Sequence, residues 1–207
     1  MATQTDVAEE SPGALLARML AGQRTFLESV YSLVHFLEAE ITRRGWDLVK
    51  PGGYGVTRDG TGSGLATFKN WATSQAGIAF ARAGQAQLVQ GVTNTQIPAE
   101  GLEVLVFQVR WLDKAPGEPV VWHAKLAVEA EGPTKPRKWE DYQTTVFNRL
   151  EPEARPSEAR AGNVRPGKAS ISGSAIVFTG RYAEVPVTAI QNEQDVISQL
   201  VEPALAE

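Results

Sequence analysis

The chain has 207 residues, 43% of them hydrophobic, and a formal net charge of −4, which suits one globular domain with a real core and offers no bulk attraction to nucleic acid or an anionic membrane. It holds no cysteine and only two histidines, His35 and His123, so disulfides, thiolate catalysis, cysteine-held metals and a three-histidine metal site within one chain are excluded. No run approaches the roughly 20 apolar residues of a membrane helix, and the start of the chain is polar and acidic rather than basic and then apolar, so a cytoplasmic location is expected.

Residues 1–11 read as a disordered acidic tail, and residues 12–207 as a single domain. Ser11 is placed to cap a helix with Pro12 in its first turn. From there Leu16, Leu20, Leu27, Val30, Val34, Leu37 and Ile41 alternate spacings of three and four, with Gln23 the one polar residue in the register. Such a seam predicts a long helix over 12–44, ended by Arg43, Arg44 and Gly45, and it must be buried against something. A second apolar line, Leu15, Met19, Phe26 and Leu33, widens the face enough to meet a sheet and a partner helix together. A homo-oligomer or a helical protein partner is therefore expected.

Trp46 to Val49 is a short strand candidate, followed by a glycine-rich loop over 50–65. Phe68, Trp71 and Ile78 suggest a helix over 66–82, although Gly77 would cost about 1 kcal/mol within it, and residues 85–92 suggest a strand. The clearest β signal is a hairpin over 103–129, its strands running from Glu103 to Leu112 and Val120 to Glu129. Residues 133–168 contain five prolines and eight Lys/Arg against five Asp/Glu; Trp139, Tyr142, Val146 and Leu150 mark a short helix there, and 151–168 an exposed loop. Over 174–206 the pattern predicts a hairpin turning at Gly180, with Pro186 pushing its second strand to a sheet edge, then a helix from Asn192 that Pro203 interrupts. The fold class is α+β, a mainly antiparallel sheet packed by the long helix and two or three shorter ones.

Three segments invite a chemical reading. The glycine-rich loop fails as a phosphate-binding P-loop, because Thr61 and Gly62 stand where lysine and Ser/Thr are needed, and it fails as a dinucleotide fingerprint because Leu65 or Thr67 occupies the third glycine slot. What remains is a loop flanked by Arg58 and Lys69, able to contact an anion. In the hairpin, strand parity groups Leu105, Phe107, Val109 and Trp111 on one side of the first strand and Trp122, Ala124, Leu126 and Val128 on one side of the second. If both sets line one core, Gln108, Arg110, His123, Lys125 and Glu129 share the opposite face. Arg110 and Lys125 would then hold a phosphate or carboxylate while His123 moves a proton, as in a small nuclease-like enzyme acting on a phosphorylated or nucleic-acid substrate. Asp113 with His123 and Lys125 is only loosely like a magnesium-dependent nuclease core, since histidine stands where an oxygen ligand belongs. A serine hydrolase lacks its nucleophile motif. Lastly, Lys135, Arg137 and Lys138 beside Trp139 form a local basic patch, the one place for a nucleic-acid contact. The leading expectation is a non-catalytic protein that assembles or binds a ligand, with the heptad helix as its assembly element.

Overall fold

The computed structural model describes residues 11–49, 54–58, 73–85, 87–88, 95–97, 101–111, 118–131, 137–138, 161–164, 167–171 and 174–206. Helix α1 (Pro12–Arg43) begins where the sequence places it: Pro12 occupies the first turn and the Ser11 side chain accepts a hydrogen bond from the Ala14 N–H at 3.2 Å. It ends at Gly45, whose φ of 84° lies in the left-handed region that favours glycine. The chain then enters β1 (Trp46–Leu48), β2 (Tyr54–Arg58) and β3 (Thr73–Arg82).

The main sheet is eight-stranded and antiparallel throughout. At its centre are β6 (Glu103–Arg110) and β7 (Val120–Glu131), the hairpin that the sequence marks most clearly. β3 pairs with β6 on one side, and β1 and β2 pair with successive stretches of β3. On the other side β11 (Ser174–Pro186) pairs with β7 and is flanked by β9 (Ala161–Asn163) and β10 (Gly167–Ile171). A small separate sheet joins β4 (Gln87–Leu88), β5 (Thr95–Ile97) and β8 (Arg137–Lys138).

Several expectations are corrected here. Residues 73–82 are strand, not helix: Ala76, Ile78 and Phe80 alternate with Gly77, Ala79 and Ala81, and a period of two serves a sheet buried on both sides. Residues 54–58 of the expected loop are strand β2; in the second expected loop, 151–168, residues 161–163 are β9 and residues 167–168 open β10, both held by β11. Gly180 is not a turn. It lies within one continuous strand, where a Cβ would stand 2.1 Å from the Lys125 carbonyl oxygen, so glycine is there for close backbone approach. Pro186 ends β11 opposite Val120 of β7; among the described residues the other side of β11 is paired only as far as Ala183, so the proline stands where the strand is paired on one side alone. The strand expected over 85–92 is described only at Gln87–Leu88, while the acidic tail before Ser11 and the helix expected around Trp139 to Leu150 lie outside the described residues.

Both faces of the sheet carry a core. On the first, Ile78, Phe80, Leu105, Phe107, Val109 and Val121 pack under Val30, Leu37 and Ile41 of α1. The same face meets α2 (residues 193–205) through Val196, Leu200, Val201 and Ala204. On the second, Val104, Val106, Trp122, Ala124, Leu126, Phe178 and Tyr182 are buried with Val49, Leu102 and Val164. α2 starts with a reciprocal capping box, the Asn192 side chain accepting from the Asp195 N–H and the Asp195 carboxylate from the Asn192 N–H. Pro203 does not interrupt it. The helix widens to π-type turns over Ile197–Val201, just where an α-helix would need an N–H from residue 203, and continues through Glu202–Leu205.

Candidate functional site

The hairpin register decides which of the candidate residues meet. Odd-numbered residues of β6 pair with odd-numbered residues of β7, Phe107 with His123 and Leu105 with Lys125, while Gln108 pairs with Trp122. The parity within each strand is as expected, but the two apolar sets lie on opposite faces. The five-residue polar face is therefore split. Gln108 and Arg110 stand with Trp122 on the second face; His123, Lys125 and Glu129 stand with Leu105 and Phe107 on the first. The reason is the long connection, residues 111–119, which leaves register to be set by burial rather than by a tight turn. β6 is buried at six successive positions, Val104 to Val109, so neither of its faces is a solvent face.

On the second face the polar groups form a packed column. The Arg110 guanidinium lies 4.4 Å from the centre of the Trp122 ring, and that ring stacks on Tyr182 at 5.9 Å. Gln108, which is buried, accepts hydrogen bonds from Arg110 through its side-chain oxygen, one of them 2.9 Å from Nε. The half-buried cation at the end of β6 is thus held over an aromatic face and against a buried amide oxygen, a cation–π contact worth about 0.5–1 kcal/mol at an exposed site and more as it is desolvated. The Trp122 Nε1–H is buried without a hydrogen-bond partner among the described residues.

His123 sits on the helix side, buried and lying 6.1 Å from Phe107 in a stacked arrangement. Burial pushes its pKa down to about 4, so the ring is neutral at pH 7. Its Nε2 has no hydrogen-bond partner among the described residues. Lys125 next to it along β7 is half-buried, and Glu129 reaches solvent. His123 and Lys125 therefore share a face but not an open site, and Arg110 is separated from both by the sheet. Arg58 closes β2 opposite Thr73, and Lys69 lies outside the described residues. Among the described residues, no group of three or more His, Asp or Glu is placed to hold a metal ion. His35, off the seam as expected, is exposed against Tyr31.

The surface that stands out belongs to α1. Its seam runs onto the sheet from Val30 onward, where Val30, Leu37 and Ile41 are buried and Val34 is half-buried. Before that the helix projects, and every residue from Pro12 to Thr25 is exposed. Leu15, Leu16, Met19, Leu20 and Leu27 are 42%, 57%, 63%, 56% and 40% exposed, and Tyr31 continues the line at 67%. The projecting part is about 20 Å long. At its base Phe26 packs edge-on against Trp111 with ring centres 5.3 Å apart. A groove of about 500 Å³ lies between α1, from Thr25 to Phe36, and the segment 187–196, with Phe26, Leu33, Val187, Ile190 and Val196 among its walls. The apolar lines of α1 were legible in the sequence; the far wall of the groove was not, because Val187 and Ile190 belong to a short 3₁₀ turn and its exit with no periodicity. No helix among the described residues is long and apolar enough to cross a membrane. Comparison with protein-family models, with curated proteins and with solved structures finds no match.

Proposed function

We propose that this chain is a non-catalytic assembling protein and that the N-terminal part of α1 is its assembly element. One observation carries the reading: a single heptad seam is buried on the sheet at Val30, Leu37 and Ile41 and exposed at Leu16, Leu20 and Leu27. Isolated exposed leucines are ordinary, whereas a contiguous file of them on a projecting helix is a surface meant to be covered. From Pro12 to Gly22 the only charged residue is Arg18, so the projecting segment is apolar around most of its circumference, as in helices that are enclosed by others. Its own contacts do little to hold it. The Arg24–Glu28 ion pair at its base, 2.9 Å long, is solvent-exposed at both partners and contributes little, and Gly13 and Gly22 weaken the helix.

Size-exclusion chromatography with light scattering, over a wide range of concentration, tests this reading. The expected result is a stable multiple of 22.4 kDa for the natural chain, and a monomer with an unchanged circular dichroism spectrum for the double variant Leu16→Asp, Leu20→Asp. A natural chain that is monomeric at every concentration would overturn it.

A further inference from the structure

Resting on that reading, we propose that two copies of α1 pair antiparallel about a two-fold axis beside Gly22, each N-terminal tip seated in the other copy's groove between α1 and residues 187–196. The argument starts from the second apolar line. Extended along the helix it reads Leu15, Met19, Gly22, Phe26, Ser29, Leu33 and Phe36, again with alternating spacings of four and three. Its first members are exposed, and its last four line the groove. The exposed end and the groove are thus two parts of one helical stripe.

Gly22 has no explanation within one copy. Its φ is not positive, and a Cβ built there meets nothing within 4 Å among the described residues outside its own helix backbone, yet a glycine inside a helix costs about 1 kcal/mol relative to alanine. A second helix backbone crossing close by is a reason for it, as at other close helix crossings. Antiparallel pairing centred on Gly22 sets Leu15 of one copy opposite the small Ser29 of the other and lets Met19 and Phe26 pack side by side next to the glycine crossing, so the stripe closes on itself. The lengths agree: the groove wall from Thr25 to Phe36 is about 17 Å long, against about 20 Å for the projecting part.

Charge and bulk select the same direction. Arg18 and Glu28 lie on the same flank of the stripe, ten residues apart, and antiparallel pairing brings each Arg18 to the other copy's Glu28. Parallel pairing would set Arg18 beside Arg18. It would also bring both sheets to the same end of the helix pair, whereas the antiparallel arrangement keeps them at opposite ends. Glu193 on the far wall adds a second carboxylate to the rim that receives Arg18.

The absence of native cysteine makes the test direct. Single variants Leu15→Cys, Ser29→Cys and Gly22→Cys are oxidised alone and in mixtures, and cross-links are located by peptide mass spectrometry. The expected result is a 15–29 disulfide in the mixture of the first two, a 22–22 disulfide in the third, and none between two copies of Leu15→Cys. A 15–15 disulfide, or a stable oligomer with no cross-link at 22, would overturn the antiparallel pairing and leave assembly itself standing. A monomer by light scattering would overturn both. As a second arm, Gly22→Leu places its Cβ in open space on an exposed stretch of the helix, so circular dichroism and dilute-solution stability should hold while the concentration at half-association rises at least tenfold. An unchanged half-association concentration would overturn the close crossing at Gly22.

Discussion

Gly180 and His123 show how much a single position decides. At Gly180 the β11 backbone runs so close to β7 that a Cβ would overlap the Lys125 carbonyl oxygen, and backbone on both sides cannot yield cheaply. Gly180→Ala should therefore lose more than about 2 kcal/mol in urea unfolding. Gly162→Ala should stay within about 0.5 kcal/mol, because the nearest atom its Cβ would meet is in the Tyr182 ring at 3.5 Å, an ordinary contact. Equal effects would remove the close-approach explanation. His123 carries a pH dependence. Its pKa is about 4 in the folded chain against 6.5 when unfolded, so between those values the unfolded chain binds a proton that the folded one refuses. Stability must then fall as pH drops through that window. From pH 7 to pH 5 the natural chain should lose about 2 kcal/mol more than His123→Phe, which keeps an aromatic ring facing Phe107 and removes the titration. If both lose the same amount, His123 is not buried as described. Neither feature was legible in the sequence. Gly180 lies between apolar runs and looks like a turn, and which face His123 takes depends on a pairing register that a long connection leaves open.

Elements were legible where local chemistry and periodicity agree. The long helix carries its own cap, stop and repeat, and α2 carries its capping box; both form where the sequence places them. The strands that were missed owe their conformation to neighbours. β3 is rich in alanine and glycine, a composition with no strand preference, and becomes a strand because β6 presents a complete edge to pair. β9 and β10 sit in a proline-rich stretch and form on the edge of β11. The same distinction separates two caps of similar geometry. Asn192 caps a helix whose Leu200, Val201 and Ala204 belong to the core, so Asn192→Ala should cost about 1 kcal/mol of global stability. Ser11 caps a helix end that touches no core residue, so Ser11→Ala should lower helical content slightly and leave the monomer's urea midpoint where it was. A midpoint shift for Ser11→Ala would mean that the projecting end of α1 is part of the cooperative fold.

For the molecule as a whole, one sequence pattern serves two purposes along one rod. The C-terminal part of the seam closes the core over the sheet, and the N-terminal part is left for a partner, so seam position should determine which equilibrium a substitution disturbs. Leu37 is fully buried between α1 and the sheet. Leu37→Ala should cost about 2–5 kcal/mol of folding stability, and the loss should be present even in dilute solution. Leu16→Ala with Leu20→Ala removes comparable apolar bulk from residues that are more than half exposed, and should leave dilute stability within about 0.5 kcal/mol. The difference appears on concentration. Association that is specific to the folded state raises the thermal midpoint with protein concentration, because binding draws on the native population. The natural chain and Leu37→Ala should both show that rise, from different starting points, and the Leu16, Leu20 double variant should show none. A rise that survives in the double variant would locate the association elsewhere on the molecule. A natural chain with no rise at all would mean that the exposed half of the seam has no partner in a second copy.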